Sequence, residues 1–205
     1  MTLVAISASY GAGGSQIAPA LAERLGVPFV DRAIPMAVAD ELDIAYDDAA
    51  TLDRQLGLSW LERLLSGFVG GDTGVPSPAP AGTITSDDFR RATEEALVNQ
   101  AATGVGVILG RGAVVVLRED PRALRVRLDG PADRRLEQAM RLGNTDRETA
   151  ERAMKRLDRV HLDYAKHFYG VELRDLSLYH LVLDSTALPF ETCVDLIAAA
   201  ALRRS

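Results

Sequence analysis

A glycine-rich segment near the start of the chain has the composition of a turn that binds phosphate. Residues 7–15 read Ser-Ala-Ser-Tyr-Gly-Ala-Gly-Gly-Ser. Glycines allow the backbone to approach an anion closely and to adopt positive φ angles, and the N–H groups of a turn that opens a helix point toward that anion. Ser15 has the position of a hydroxyl that contacts Mg²⁺. The segment therefore predicts a phosphate site formed by the main chain of Gly11, Ala12, Gly13, Gly14 and Ser15.

The segment departs at two positions from the P-loop pattern G-x-x-x-x-G-K-[ST]. Ala8 stands where the pattern has glycine, and Gly14 stands where it has lysine. Because that lysine normally reaches the β- and γ-phosphates, the sequence predicts a phosphate site without its usual cation. A tight turn that binds no ligand is the alternative interpretation of the same glycines.

Two flanking elements would hold this turn in place. Residues 3–6 are typical of a short buried strand, apolar residues at helical spacing follow the turn as far as Gly26, and residues 27–30 are typical of a second strand. Strand, glycine turn, helix and strand within about thirty residues form a βαβ unit, which predicts a parallel sheet. Further strands are predicted at 105–109, 124–128 and 180–183. The expected fold is α/β in three layers, with a mostly parallel sheet of about five strands and helices on both faces.

Composition restricts the functional classes. A chain of 205 residues suits a single domain, and a net charge of −6 argues against a general nucleic-acid binder. The sequence shows no apolar run of membrane-spanning length and no signal peptide, and Cys193 is its one cysteine. These features predict a cytoplasmic protein without a membrane partner. An apolar face over residues 52–68 would be core or the surface of a homodimer.

The sequence resembles the cytidylate kinase-like family, a divergent branch of the nucleoside monophosphate kinases. The resemblance is carried by residues 6–32, by Val-Ile-Leu-Gly-Arg-Gly-Ala at 107–113 and by Leu-Asp-Ser-Thr-Ala-Leu at 183–188. It implies a P-loop kinase that uses ATP and Mg²⁺. Within one domain over residues 1–205, it implies a core, an acceptor-binding insert at about 40–90 and a helical lid at about 145–170.

The resemblance also implies an acceptor site after two of the strands. Asp31 and Arg32 correspond to the acceptor side, and Arg111 matches an arginine that holds the acceptor's phosphate. Leu109 stands where true cytidylate kinases have an aspartate, an acid that helps to organise Mg²⁺ in many P-loop enzymes. The absence of this acid and of the P-loop lysine argues against robust catalysis, whereas nucleotide binding is expected to be less affected because the main chain forms the cradle.

The predicted lid helix carries the catalytic candidates. Arg159, Asp163 and Lys166 are spaced i, i+4 and i+7, so they share one helix face. By resemblance this face would clamp phosphates, with Arg159 and Lys166 neutralising charge on the transferred group as the lid closes. A solvated helix with ion pairs along its own surface is the alternative interpretation.

The predicted function is phosphoryl transfer from ATP to a nucleoside monophosphate, most simply CMP or dCMP. Two other functions stay open. The missing lysine favours a catalytically weak, nucleotide-binding regulatory protein. The Gly- and Pro-rich segment 66–85, which we expect to be the least ordered part of the chain, favours a kinase for another small molecule.

Overall fold

The computed structural model describes residues 2–31, 101–110 and 112–204. Within them, five strands form one sheet in the order β2-β3-β1-β4-β5, and every neighbouring pair is parallel. The strands are β1 (Leu3–Ala8), β2 (Phe29–Asp31), β3 (Gly106–Leu109), β4 (Ala123–Asp129) and β5 (Leu181–Asp184). The predicted parallel α/β sheet is confirmed, with strand ends within about two residues of the predicted ones.

Helices cover both faces of the sheet because β1 is apolar on both sides. Val4 and Ile6 belong to one buried cluster, whereas Leu3 and Ala5 belong to the other. The helices are α1 (Gly14–Leu25), α2 (Ala113–Val116), α3 (Ala132–Gly143), α4 (Arg147–Tyr169) and α5 (Phe190–Arg204). The first cluster packs under α1 and α5 and includes the buried Cys193, while the second packs under α2 and α4. Burial on both faces is the usual environment of a parallel sheet.

Helix ends follow local capping chemistry. α1 ends at Gly26, whose φ of 64° is left-handed and suits a residue without a Cβ. α4 begins two residues later than the expected Thr145, because the Asp146 carboxylate accepts the Thr149 N–H and serves as the N-cap. Pro131 is the N-cap residue of α3. The short α2 and the 3₁₀ turn Leu176–Leu178 were not expected from the sequence.

Several expectations fall outside the described residues. These are the acceptor-binding insert at 40–90, the apolar face at 52–68, the Gly- and Pro-rich segment 66–85, and the side chains of Asp31, Arg32 and Arg111. Among the residues that are described, no helix is both long and apolar enough to cross a membrane.

Candidate functional site

The glycine turn lies at the carboxyl end of the central strand, where ligands of parallel α/β sheets collect. β1 ends at Ala8 and α1 begins at Gly14, so the turn between them is one short loop. We call residues 9–15 the glycine loop. Gly11 and Gly13 have φ angles of 76° and 72°, which only glycine adopts readily. The main chain thus turns sharply at the edge of the sheet and leads directly into a helix N-terminus.

The glycine loop presents main-chain donors that the rest of the described chain leaves unused. The Ala12 N–H donates to the Ser9 carbonyl, and the Tyr10 N–H donates to Asp158. Among the described residues, no acceptor is found for the N–H groups of Gly11, Gly13, Gly14 and Ser15. Ala12, Gly13 and Gly14 are buried, whereas Ser15 is exposed. Unused N–H groups at the positive end of a helix are the elements of an anion site.

An ion pair between α3 and α4 holds the outer side of the glycine loop. Asp158 Oδ1 accepts the Tyr10 N–H at 3.0 Å, and Arg135 Nη1 donates to the Tyr10 carbonyl at 2.8 Å. The same Arg135 nitrogen donates to Asp158 Oδ2 at 2.7 Å. The two side chains are only 11% and 23% exposed, respectively. Both main-chain polar groups of Tyr10 are therefore fixed by charged partners, which makes the loop conformation depend on α3 and α4.

A second buried arginine supports the start of the glycine loop. Arg127 Nη2 donates to Ser9 Oγ at 3.0 Å and to Asp129 Oδ2 at 2.7 Å. Burial alone would raise the pKa of Asp129, but the Arg127 guanidinium outweighs it and holds that pKa below the usual 3.8. Both Arg127 and Asp129 belong to β4, so this strand contributes a charged pair to the loop.

A cavity of about 480 Å³ lies between α3 and the segment that follows β5. Residues Gln138, Arg141 and Leu142 of α3 form one wall, and residues 186–190 form the other. Gln138 Nε2 donates to the Gly11 carbonyl at 2.9 Å, and a Cβ placed on Gly13 would lie 2.5 Å from the Phe190 ring. Two of the residues that line the cavity, Gln138 and Phe190, therefore lie against the glycine loop.

The model of the cytidylate kinase-like family matches residues 3–187. The chain belongs to the cytidylate kinase-like family. No curated protein matches it.

Solved structures show the same fold for this family member. An uncharacterised protein from Eubacterium ventriosum ATCC 27560 is similar, with a TM-score of 0.66 and 18% identity over 98% of both chains. A sugar kinase from Janibacter sp. HTCC2649 has a TM-score of 0.50 and 20% identity, over 100% of this chain and 96% of that one. A gluconokinase from Sinorhizobium meliloti 1021 has a TM-score of 0.50 and 18% identity, over 98% and 92%. These likenesses show the α/β fold of P-loop kinases.

The lid-helix candidates of this kinase-like protein lie on the exposed side of α4. Arg159 Nε is 3.4 Å from Asp163 Oδ2, and the Arg159 side chain is 77% exposed. Lys166 Nζ pairs instead with Glu172 at 3.0 Å, and the hydrogen bond to that carboxylate raises the pKa of Lys166. The structure brings Arg159 and Asp163 together and directs Lys166 elsewhere. In the described part of the chain, Asp158 is the α4 side chain seen to bond the glycine loop.

Sequence reasoning missed five side chains that hold the loop: Arg127, Arg135, Gln138, Asp158 and Ser185. One signal was present for Arg127. Along β4, apolar and charged residues alternate, although a strand covered on both faces is usually apolar throughout. A charged residue at a covered position must have buried partners, and here they are Ser9 and Asp129.

The Arg127–Asp129 pair predicts a loss of stability in acid. A carboxylate whose folded pKa is depressed stabilises the fold above its unfolded pKa, and this contribution disappears as the pH falls through the folded pKa. We expect Asp129→Asn to lower the free energy of unfolding at pH 7 by about 1–2 kcal/mol, because the pair is partly exposed. The difference from the wild type should shrink steadily below pH 3.8.

Thermal melting at several pH values tests this, with the exposed Glu137→Gln of α3 as the control. A constant difference between Asp129→Asn and wild type from pH 7 to pH 2.5 would contradict the role given to the Asp129 charge.

Proposed function

We propose that this chain transfers a phosphoryl group from ATP to a nucleoside monophosphate, most simply CMP or dCMP. The observation that carries the proposal is the set of unused N–H groups at Gly11, Gly13, Gly14 and Ser15, at the end of the central strand in a family of kinase-like proteins. Phosphoryl transfer needs little covalent chemistry from the protein, so positioning and charge stabilisation supply the catalysis. A rigid main-chain cradle provides the positioning.

The donor would lie across the glycine loop with its base in the bordering cavity. At about 480 Å³ the cavity is in the size range of small-molecule sites. Phe190 and Arg141 offer flat surfaces against which a purine could stack. The phosphates would then follow the loop toward Ser15.

Magnesium would be held mainly by the nucleotide. Within the described residues, no group of three or more His, Cys, Asp or Glu side chains is placed to hold a metal ion. The exposed Ser15 at the first turn of α1 fits a single hydroxyl ligand. When bound, the ion would neutralise charge on the phosphates.

The acceptor would approach from the opposite side of the glycine loop. β3 and β2 lie on one side of β1, whereas β4, β5 and the cavity lie on the other. β2 ends at Asp31, which pairs in register with Leu109 at the end of β3. Arg32 and Arg111 come soon after these strand ends in the sequence. We assign Asp31, Arg32 and Arg111 to the acceptor, with Arg111 on its phosphate.

The positive charge that neutralises the transferred group would come from side chains of α4. Asp158 already bonds the loop, and Arg159 is the next residue, so its Cα lies about 3.8 Å from the Cα of a residue in contact with the loop. Its exposed partner Asp163 binds it weakly, since surface pairs contribute little. On closure of the lid, Arg159 and Lys166 would move to the phosphates, and Asp163 would orient Arg159.

One observation favours a catalytically weak nucleotide-binding protein instead. The side chain of Leu109, at the end of β3, lies within 3.3 Å of a Cβ placed on Gly14. An apolar group thus stands beside the loop where an acid would organise Mg²⁺. A kinase for another small molecule is the other alternative, because the residues expected to select the acceptor lie in the insert.

A coupled assay of ADP release tests these functions together. Purified protein is given ATP and Mg²⁺ with a panel of nucleoside monophosphates and small alcohols, and reactions without an acceptor serve as the control. We expect the largest rate with CMP or dCMP. Turnover with an alcohol alone would reassign the acceptor, ATP binding without any turnover would favour the regulatory protein, and absence of ATP binding would remove the proposed function.

A further inference from the structure

Ala8 and Gly14 face each other across the glycine loop. Ala8 is the last residue of β1, and Gly14 is the first residue of α1. A Cβ built on Gly14 would lie 2.6 Å from the Cβ of Ala8. Carbon atoms in contact are normally about 3.5–4.0 Å apart. Because the Ala8 Cβ is attached directly to the backbone, no side-chain rotation can move it away.

The two positions reverse the pattern of a P-loop. That pattern has glycine at the first position and lysine at the seventh, whereas this chain has Ala8 and Gly14. The 2.6 Å distance supplies a physical reason for the reversal. Only one of the two residues can carry a side chain, since both Cβ atoms would compete for the same space.

We infer that residues 8 and 14 share a single side-chain position beside the glycine loop and that Ala8 fills it. The loop therefore binds the diphosphate common to ADP and ATP through its main chain alone. The inference rests on the proposed function for its ligand but not for its geometry. A lysine at this place would reach the β- and γ-phosphates. With a methyl group there instead, the loop offers the γ-phosphate no cation of its own, so ADP and ATP should bind with similar affinity.

A double-mutant cycle of melting temperatures tests the shared position. The variants are Ala8→Gly, Gly14→Lys and the combination of both. Gly14→Lys should lower the melting temperature by about 5 °C through overpacking. Ala8→Gly should restore most of that loss when combined with it, beyond the sum of the single effects. Gly143→Lys is the matched control, because a Cβ there meets its nearest atom at an ordinary 3.7 Å.

Nucleotide binding by the same variants tests the consequence for the ligand. Isothermal titration with ADP and with ATP, each with Mg²⁺, should give dissociation constants within about threefold of each other in the wild type, because no loop cation contacts the γ-phosphate. The double variant should prefer ATP by about tenfold or more, the effect of one charge-assisted contact.

The possible results separate the inference from the proposed function. If Gly14→Lys melts like the wild type, or if Ala8→Gly gives no rescue, the shared position is wrong. If the wild type prefers ATP by tenfold or more, the inference that the main chain alone binds the diphosphate is wrong. If the melting cycle behaves as expected but no variant binds nucleotide, the shared position is supported and the proposed function fails.

Discussion

Gly11→Ala should abolish nucleotide binding and lower the free energy of unfolding by about 2–5 kcal/mol, which is the sum of a strained backbone and a steric overlap. Gly11 has a φ of 76°, where an alanine is strained. A Cβ at this position would also overlap the carbonyl oxygen of Arg135 in α3. That oxygen belongs to a helix backbone and cannot move without displacing α3. The loop would have to shift, and its N–H groups would lose their alignment.

Gly26→Ala separates the two causes. Gly26 has a similar φ of 64°, but a Cβ there meets nothing within 4 Å. The Gly26→Ala substitution should therefore lower the free energy of unfolding by about 1–2 kcal/mol, the strain of the left-handed backbone alone. It should leave nucleotide binding unchanged. Chemical denaturation and titration with ATP and Mg²⁺ measure both quantities. Equal losses of stability in the two variants would mean that the contact between the loop and α3 is looser than described.

Arg159→Ala should reduce turnover by at least about a hundredfold, the effect of losing one charge contact in the transition state. The stability of the fold should hardly change, because the Arg159–Asp163 pair is exposed and such pairs contribute at most about 1 kcal/mol. Single-turnover formation of ADP measures the chemical step, and a melting curve checks the fold. Lys166→Ala should show a smaller effect in the same direction.

Arg147→Ala is the matched control for Arg159→Ala. Arg147 also forms an i,i+4 ion pair on α4, with Glu151 at 3.7 Å, and its side chain is also largely exposed. It lies eleven residues before Asp158, the contact with the loop, which is about 16 Å along a helix. Arg147→Ala should therefore turn over normally. Normal turnover in both Arg159→Ala and Lys166→Ala would show that α4 does not supply the missing charge.

Much of the secondary structure around the glycine loop follows from local sequence patterns. The apolar run of β1, the glycines of the loop and the helical spacing of α1 are local patterns, and they predict the strand–loop–helix unit correctly. Burial on both faces of β1 follows from its continuous apolar character, which requires a covered parallel sheet. The departure from the P-loop pattern at Ala8 and Gly14 is equally plain in the sequence, because it compares residues within one motif.

Only the tertiary structure decides which side chains support the loop. Asp158 bonds Tyr10 across 148 residues of sequence, and Arg135 bonds it across 125. No spacing rule predicts such contacts, because they depend on how α4 packs against α3 and how both dock on the sheet. Successive residues of a helix point about 100° apart. Whether Asp158 or Arg159 faces the loop is therefore set by the rotation of α4 in the folded protein, which the charged residues of its own sequence do not reveal.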